Sequence, residues 1–351
     1  MRIHQLLSGA GPFDAVTRQA LAFREVFQSW GMEGGIHAAA IEPRLRERVR
    51  PLERLDAARD DLLLIHYSAY APRLEELLEL PNRKLLVYHN VTPARYLWSF
   101  QPHVATLCQL GRDHLPRYAQ AVDVAAAVSE YNADELRDAG ARDVRVVPIL
   151  FDPEFFGAPD THADPERPLI ASVGRLAPHK RHDLVIRAFA LFQREFHPEA
   201  RLVIAGEPIS LGYGERLAEL VERLGARNVE LPGPLEQDRL TAVYQEASVA
   251  LFLSEHEGFC IPLVESFNFS VPVVARPIGG MKEVAADAAL WTDREPDLAM
   301  VAELLELASS DGELRDELAR RGQARLEEFS RERTEAKLRA AVEAAARHST
   351  P

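Results

Sequence analysis

The sequence predicts an α/β protein made of two doubly wound, Rossmann-like domains. Short apolar runs alternate with longer amphipathic stretches along the whole chain, which is the pattern of parallel strands joined by crossover helices. The 351 residues suit two domains of about 100 to 200 residues each. A stretch rich in proline and aspartate, DPEFFGAPDTHADPERP, interrupts the alternation near the middle. We therefore expect two domains that face each other across a cleft.

The domain boundaries follow from these breaks. We predict an N-terminal domain over residues 1–155, a linker over 156–168 and a C-terminal domain over 169–330. Residues 331–351 have helical apolar spacing and contain no strand candidate. We expect them to form a C-terminal helix that crosses back to the N-terminal domain.

Strands are expected where apolar runs lack alternation, because a strand covered by helices on both faces needs no polar side. In the N-terminal domain these runs are 1–7, 35–40, 61–67, 84–89, 123–128 and 144–148. In the C-terminal domain they are 169–174, 201–206, 228–233, 248–254 and 271–275. Such sheets bind ligands beyond the carboxyl ends of their strands, so the loops that follow these runs hold the candidate functional residues.

Composition excludes several classes of protein. The formal net charge of −13 disfavours a nucleic-acid partner, which calls for a basic surface. The two cysteines, Cys108 and Cys260, are too few for a disulfide framework and lack metal-ligand spacing. The sequence shows neither a signal-peptide core nor a run of about 18 apolar residues. We expect a cytoplasmic protein with no metal site and no membrane-spanning segment.

The most informative loop lies in SVALFLSEHEGFCIPLVES, residues 248–266. Pro262 suits the first turn of the helix after the loop, where backbone amides and the helix dipole attract phosphate. The amides expected at this helix start are those of Phe259, Cys260 and Ile261. Glu257 in the loop and Glu265 in the helix can accept hydrogen bonds from sugar or ribose hydroxyls. The alternative is a solvated acidic loop followed by a surface glutamate.

A second loop, in SVGRLAPHKRHDLVIRAF at residues 172–189, concentrates positive charge. A strand is expected to run into Gly174, and Arg175 and Lys180 bracket the loop that follows. Arginine offers a planar fork to phosphate oxygens and lysine a point charge, so the two together suit a diphosphate. The chain has only four lysines, so Lys180 does not belong to a lysine-rich surface. The alternative is a basic patch, shared with Arg181, that flanks the next helix.

Two strand ends of the N-terminal domain are weaker candidates. Gly9 and Gly11 let a ligand approach the backbone after the first strand, but Asp14 replaces the third glycine of a dinucleotide-binding fingerprint. An ordinary flexible turn is the alternative there. His89 ends a buried strand, and His66 ends another and is placed to lie beside it. The alternative for His89 is a hydrogen-bonded core histidine.

At these loops the chain resembles family 4 of the retaining nucleotide-sugar glycosyltransferases, which have the two-domain GT-B fold. GRLAPHK is similar to the G-R-x4-K segment of that family, and EGFCIPLVE is similar to its E-x7-E signature. The resemblance is specific over about residues 170–292 and looser over 1–150. It implies that the N-terminal domain binds the acceptor and that the C-terminal domain binds the nucleotide sugar.

The resemblance also implies a role for each candidate residue. Arg175 and Lys180 would bind the donor diphosphate, Glu257 the hydroxyls of the transferred sugar, and Glu265 the ribose. His89 would lie near the donor sugar. Backbone groups that would contact the donor are those of Gly9, Gly11, Gly174, Gly233, Pro234, Leu235, Gly258, Phe259, Cys260 and Ile261.

The chain departs from the family pattern at two places. One lies after the second glutamate, and the other lies just before the helix. Phe267 and Phe269 are bulkier than the usual residues, and Ser270 replaces a glycine, so we expect altered packing of this helix. Cys260 stands where glycine is common. We expect its thiol to be buried and unreactive.

The expected activity is the metal-independent transfer of a hexose from a nucleotide-diphosphate sugar to an acceptor hydroxyl, with retention and by front-face displacement. GDP-mannose or a UDP-hexose is the expected donor, with no separate cofactor. The acceptor is a glycan, a lipid-linked molecule or a small molecule. An arginine-rich segment at 42–54 is either a solvated face or a contact with an anionic acceptor or lipid surface, so membrane contact is at most peripheral. The alternatives are a noncatalytic sugar-nucleotide-binding protein and a GT-B-type epimerase.

Overall fold

The computed structural model describes residues 1–157 and 160–347, which divide into two compact units. The first unit comprises Met1–Arg95, Pro102–Leu150 and the described chain from Phe329 onward. The second unit comprises Tyr96–Gln101 and Phe151–Glu328. Each unit has its own parallel sheet. The prediction of two doubly wound α/β units is confirmed.

The sheet of the first unit is entirely parallel over the residues described. Its strands are β1 (Ile3–Leu7), β2 (Ile36–Ala38), β3 (Arg50–Pro51), β4 (Leu62–Tyr67), β5 (Arg83–Tyr88), β6 (Val124–Ala127) and β7 (Val144–Val146). They lie in the order β3-β2-β1-β4-β5-β6-β7, so the order reverses at β1 and β4. The sequence did not predict β3, because its two exposed residues leave no apolar run.

Helices pack against this sheet through their apolar faces. They are α1 (Ala15–Ser29), α2 (Pro72–Glu76), α3 (Pro102–Ala121), α4 (Glu130–Asp138) and α12 (Arg331–Arg347). Leu338 and Val342 of α12 share a buried cluster with Ile3, Phe23 and Leu62. The last described helix is therefore part of the first unit's core.

The sheet of the second unit has the same plan. Its strands are β8 (Leu169–Val173), β9 (Arg201–Ala205), β10 (Val229–Gly233), β11 (Ala247–Phe252), β12 (Val273–Ala275) and β13 (Ala289–Trp291). They are parallel and lie in the order β10-β9-β8-β11-β12-β13. The sequence did not predict β13, which is three residues long, and it placed the end of β11 at residue 254 rather than at Phe252.

The helices of the second unit begin and end at sequence-encoded signals. They are α5 (His182–Glu195), α6 (Leu211–Leu224), α7 (Gln237–Glu246), α8 (Ile261–Asn268), α9 (Met281–Ala285), α10 (Leu298–Ser310) and α11 (Gly312–Glu328). Ser210 caps α6 by accepting from the amide of Tyr213, and Gly225 ends this helix in the left-handed conformation. Among the described residues no helix is both long and apolar enough to cross a bilayer.

A short segment of the first half of the sequence, Tyr96–Gln101, belongs to the second unit. Nε2 of Gln101 donates to the carbonyl oxygen of Ile209 at 2.9 Å. The ring of Phe100 meets the ring of Tyr213 edge-on at 5.0 Å, and the Arg216 guanidinium lies 5.1 Å from the Phe100 ring centre. The sequence assigned this segment to the domain over 1–155, because these long-range contacts leave no local pattern.

The second unit also begins earlier than residue 156, at Phe151. The rings of Phe151 and Phe156 stack at 5.7 Å, and Phe156 meets Tyr244 and Phe269 edge-on. Aromatic packing therefore ties part of the expected linker to the second unit.

Candidate functional site

Two loops of the second unit lie side by side at the carboxyl ends of its central strands. β8 and β11 are hydrogen-bonded neighbours, and the strand order reverses between them. The loop after β8 covers 174–181, and the loop after β11 covers 253–260. Open parallel sheets bind ligands at such a reversal, so this is the expected place for a site.

Lys180 and Glu257 form an ion pair between these two loops. Nζ of Lys180 lies 2.5 Å from Oε1 of Glu257, and the hydroxyl of Ser254 donates to the same oxygen at 2.8 Å. The two charged side chains are only 19% and 8% exposed. Burial disfavours the charge on Lys180, but attraction to Glu257 outweighs burial and raises the pKa of the ammonium. Lys180 is therefore a fixed cation at neutral pH.

The backbone of Glu257 is held by a glycine pair that sequence reasoning did not assign to the site. Gly279 has a φ of +55°, and a Cβ there would lie 2.2 Å from the carbonyl oxygen of Glu257. The amide of Gly280 donates to that oxygen at 3.0 Å. The PIGG segment after β12 must therefore contain glycine at Gly279 to let the Glu257 loop approach.

The other charged side chains of the two loops differ in their partners and in their exposure to solvent. Arg181 binds both carboxylate oxygens of Asp183, at 2.9 and 3.0 Å, and also pairs with Glu255. Glu255 lies 3.6 Å from the buried Arg276 as well. Arg175, by contrast, has an exposed side chain. Protein carboxylates therefore neutralise Arg181, while the Arg175 guanidinium faces solvent.

Helix α8 begins directly after the Glu257 loop. Cys260 precedes it with a φ of +70°, and Pro262 is its second residue. The first amides of a helix have no partner within it, so those of Ile261 and its neighbours mark an anion-binding position. A left-handed φ explains why glycine is common at the position of Cys260. Burial and the neighbouring Glu257 raise the pKa of the Cys260 thiol well above its ordinary value, so the thiol is neutral.

Glu265 lies deeper than Glu257 and is 2% exposed. Its carboxylate accepts a hydrogen bond of 2.8 Å from the hydroxyl of Tyr244, which is itself fully buried on α7. The ring of Tyr244 stacks on Phe269 with an interplanar angle of 7°. Sequence reasoning missed Tyr244, because nothing in the spacing relates α7 to α8.

The backbone candidates of the second unit meet at the ends of β8, β9 and β10. Gly174 has a φ of +144°, and a Cβ on Gly206 would lie 1.9 Å from the carbonyl oxygen of Gly174. The amide of Gly206 donates to the carbonyl oxygen of Gly233 at 2.9 Å. Pro234 follows directly, and Leu235 packs on the buried cluster of this sheet. Three strand-end loops therefore approach one another closely.

In the first unit, Gly9 and Gly11 follow β1 without left-handed backbone angles. A Cβ on Gly9 would meet its nearest atom only at 4.0 Å, and one on Gly11 would meet the flexible end of Glu42. Asp14 caps α1 by accepting from the amide of Thr17 at 2.8 Å. The backbone conformation therefore demands glycine at neither position, and Asp14 is a helix cap.

His89 lies directly after β5 and meets His66, as the sequence predicts. Nε2 of His89 lies 2.9 Å from Nδ1 of His66, and Nε2 of His66 lies 2.8 Å from Oε1 of Gln5. Burial lowers the pKa of His89 to about 3, so its ring is neutral at physiological pH. Sequence reasoning did not include Gln5, which lies 61 positions from His66 in the chain.

Neighbouring residues accommodate the bulky side chains after Glu265. A Cβ on Gly322 of α11 would lie 2.9 Å from the ring of Phe267, so this glycine makes room for the ring. Phe269 occupies the aromatic stack with Tyr244. Ser270 has a left-handed backbone, with a φ of +53°, which is a conformation that glycine adopts without strain.

Comparison with known proteins agrees with this geometry. Residues 158–325 match the family model described as glycosyl transferases group 1. This part of the chain is therefore similar to the group 1 glycosyltransferases. The resemblance predicted from the two loops is confirmed, and family 4 is consistent with it. Both loops of the Lys180–Glu257 pair lie within the matched residues.

Curated relatives match part of the chain. D-inositol 3-phosphate glycosyltransferase of Mycolicibacterium gilvum is 35% identical over 140 residues, which are 38% of this chain and 30% of the relative. The protein of the same name from Segniliparus rotundus is 32% identical over 188 residues, which are 52% and 41% of the two chains. The chain thus aligns with less than half the length of these relatives.

Solved structures match over almost the whole chain. Sucrose-phosphate synthase of Thermosynechococcus elongatus has a TM-score of 0.77, with 14% identity and 98% coverage of both chains. HepE of Anabaena, in complex with UDP and glucose, has a TM-score of 0.74, with 14% identity and coverage of 98% of this chain and 100% of that one. At such low identity the likeness shows the fold, which is GT-B.

Proposed function

We propose that this protein transfers a hexose from a nucleotide-diphosphate sugar to an acceptor hydroxyl, with retention and without a metal ion. The observation that carries the proposal is the buried pair of Lys180 and Glu257 beside the start of α8. A cation, a carboxylate and helix-start amides at one strand-order reversal suit a ligand with both phosphate and hydroxyl groups. Retention is proposed from the resemblance to family 4.

Charge development at the reacting bond gives Lys180 its role. When the bond between the anomeric carbon and the diphosphate oxygen breaks, its electron pair moves to that oxygen, and positive charge grows on the sugar ring. Lys180 and Arg175 stabilise the diphosphate more as its charge increases, which is the requirement for catalysis. In the front-face reaction the acceptor oxygen attacks from the side of the leaving group, and its proton passes to a departing phosphate oxygen.

The remaining candidates bind the other parts of the donor. Glu257 accepts hydrogen bonds from the sugar hydroxyls, and Glu265 does so from the ribose. The loop of Gly233, Pro234 and Leu235 frames the base. His89 of the first unit, together with the backbone of Gly9 and Gly11, is proposed to contact the same donor from the resemblance alone.

The substrates are proposed by class. The donor is GDP-mannose or a UDP-hexose, and the acceptor is a glycan, a lipid-linked molecule or a small molecule. The curated relatives are named for D-inositol 3-phosphate, so this compound is the first acceptor to supply. We propose a cytoplasmic protein with at most peripheral membrane contact, to which the exposed Arg46 and Arg50 of the first unit would contribute.

Release of nucleoside diphosphate from a panel of UDP-, GDP- and ADP-sugars, with and without acceptor, tests the proposal. Wild type and Lys282→Ala, which removes an exposed lysine of the same unit, should turn over one donor only when acceptor is present. Lys180→Ala and Glu257→Ala should lose that turnover. Tight donor binding without turnover would indicate a noncatalytic binding protein, and an isomerised donor without acceptor would indicate an epimerase; either result contradicts the proposal.

A further inference from the structure

A line of buried hydrogen bonds runs beneath the strand ends of the first unit. Nε2 of Gln5 donates to the carbonyl oxygen of Ala20 at 2.8 Å. Oε1 of Gln5 lies 2.8 Å from Nε2 of His66, and Nδ1 of His66 lies 2.9 Å from Nε2 of His89. Gln5 and His66 are fully buried, so water does not compete for these contacts. The three side chains come from β1, from β4 and from the residue directly after β5, and these strands are adjacent in the sheet.

The direction of every hydrogen bond in this line follows from the Ala20 carbonyl. A carbonyl oxygen can only accept, so Gln5 must turn its NH2 group to Ala20 and its oxygen to His66. That oxygen also accepts only, so Nε2 of His66 carries the proton. In a neutral ring the other nitrogen is then an acceptor, so Nδ1 of His66 must receive a hydrogen bond from Nε2–H of His89.

The same reasoning leaves Nδ1 of His89 with a lone pair. Among the residues that the structure describes, this nitrogen has no hydrogen-bond partner, and His89 is partly exposed. The backbone after it is held firmly: Asn90 has a φ of +76°, and its Nδ2 donates to Oδ1 of Asn132 at 2.8 Å and to Oε2 of Glu135 at 3.0 Å. A strained residue that is held in this way is typical of functional strand ends.

We propose that Gln5 and His66 are positioning residues that hold His89 with its proton on Nε2, so that Nδ1 accepts a hydrogen bond from a hydroxyl of the sugar substrate. The identity of the hydroxyl-bearing ligand rests on the proposed function, whereas the proton position does not. His89 so held acts as a neutral hydrogen-bond acceptor that orients a hydroxyl, and no proton is transferred to it.

Nitrogen-15 NMR of the imidazole rings in the full chain tests the proton position directly. His89 should show a protonated Nε2 and an unprotonated Nδ1, with a scalar coupling across the hydrogen bond between His66 Nδ1 and His89 Nε2. A proton on Nδ1 of His89, or the absence of that coupling, would overturn the proposal. The result does not depend on finding an active donor, so it stands apart from a failure of the proposed function.

Variants of Gln5 separate positioning from simple packing. Gln5→Met keeps the volume and removes both hydrogen bonds, so His89 should populate both tautomers. We expect kcat to fall roughly ten- to a hundredfold, the range found when the partner that orients a metal-binding histidine is removed. Gln5→Glu, as a buried neutral acid, still donates to Ala20 and accepts from His66, and should restore both the tautomer and most of kcat.

His37→Phe serves as the control, because it alters a buried histidine of the same sheet outside the line. It should leave the His89 spectrum and kcat unchanged. If a folded Gln5→Met variant kept the single His89 tautomer and wild-type kcat, Gln5 would not be a positioning residue.

Discussion

The strand-end loops of the two units occupy corresponding places in the fold. Those of the second unit carry charged side chains, whereas those of the first unit carry neutral ones. In the second unit a charged pair, Lys180 and Glu257, lies at the reversal between β8 and β11. In the first unit two neutral histidines, His66 near the end of β4 and His89 directly after β5, lie beside the reversal between β1 and β4. Charges suit a group whose charge changes during reaction, whereas neutral acceptors suit hydroxyls that must only be oriented. The same sheet plan thus supports two kinds of recognition.

The largest effect is expected from removing the cation of the second unit. Lys180→Met should reduce turnover about 100- to 1,000-fold, because one group that stabilises developing charge is lost. It should also lower the free energy of unfolding, since Glu257 is 8% exposed and would lose its cation. Steady-state kinetics and urea denaturation measure the two losses.

Lys180→Arg is the matched variant, because it retains the positive charge. It should keep the stability of the fold and recover part of the turnover. Equal activity of the methionine and arginine variants would show that the charge of Lys180 has no catalytic role.

Glu257→Gln should shift the alkaline side of the pH–rate profile. Burial lowers the pKa of Lys180 and Glu257 raises it, so without the carboxylate the lysine loses its proton at a lower pH. Because catalysis requires the protonated form, activity of the variant should begin to fall at a lower pH than in wild type. If turnover is still measurable and the alkaline limb is unchanged, Glu257 does not control the protonation of Lys180.

The neutral histidines should make the fold sensitive to acid. Burial lowers the pKa of His89 and of His182 to about 3, so between pH 6.5 and 3 the unfolded chain binds protons that the folded chain does not. Stability is therefore complete above about pH 6.5 and falls as the pH falls, by about 1.4 kcal/mol per pH unit for each such histidine.

Denaturant melts at several pH values measure this slope. A variant without the first of these rings, His89→Phe, should give a shallower dependence on pH below 6.5 than wild type. An identical slope would mean that the ring is protonated in the folded state.

A smaller effect is expected from the buried phenol that contacts Glu265. Tyr244→Phe removes the hydroxyl that donates to Glu265 and keeps the ring stacked on Phe269. Loss of a hydrogen bond to a charged group costs about 1.5 to 3 kcal/mol, here divided between fold stability and donor affinity. The KM for donor should rise with kcat nearly unchanged; a fall in kcat alone would contradict a role in ribose binding.

The charged site could be predicted from the sequence because its parts are close together in the chain. Lys180 is a rare lysine in one loop, and Glu257 and Glu265 are eight positions apart in another. Strands with long apolar runs, such as β4, could also be predicted from the sequence. The very short strands β3 and β13 were not, because two or three residues do not establish a period.

The line of hydrogen bonds through Gln5, His66 and His89 could be predicted only in part. The strand ends suggested that His66 and His89 are neighbours, but Gln5 lies 61 positions from His66 in the chain. Only the sheet order places β1 beside β4 and gives Gln5 its contact. Tyr244 and Gly279 were missed for the same reason, since each acts on a glutamate through a contact between separate elements.

Calorimetric titration with UDP and GDP tests the central claim most directly, because it measures diphosphate binding without requiring a known acceptor. The wild type and the exposed-lysine variant Lys282→Met should bind one of the two nucleotides with equal affinity. Lys180→Met should bind it roughly 10- to 150-fold more weakly, which corresponds to the loss of a charge-assisted hydrogen bond. Equal affinity of all three proteins for the nucleotide would contradict the assignment of Lys180 to the donor diphosphate.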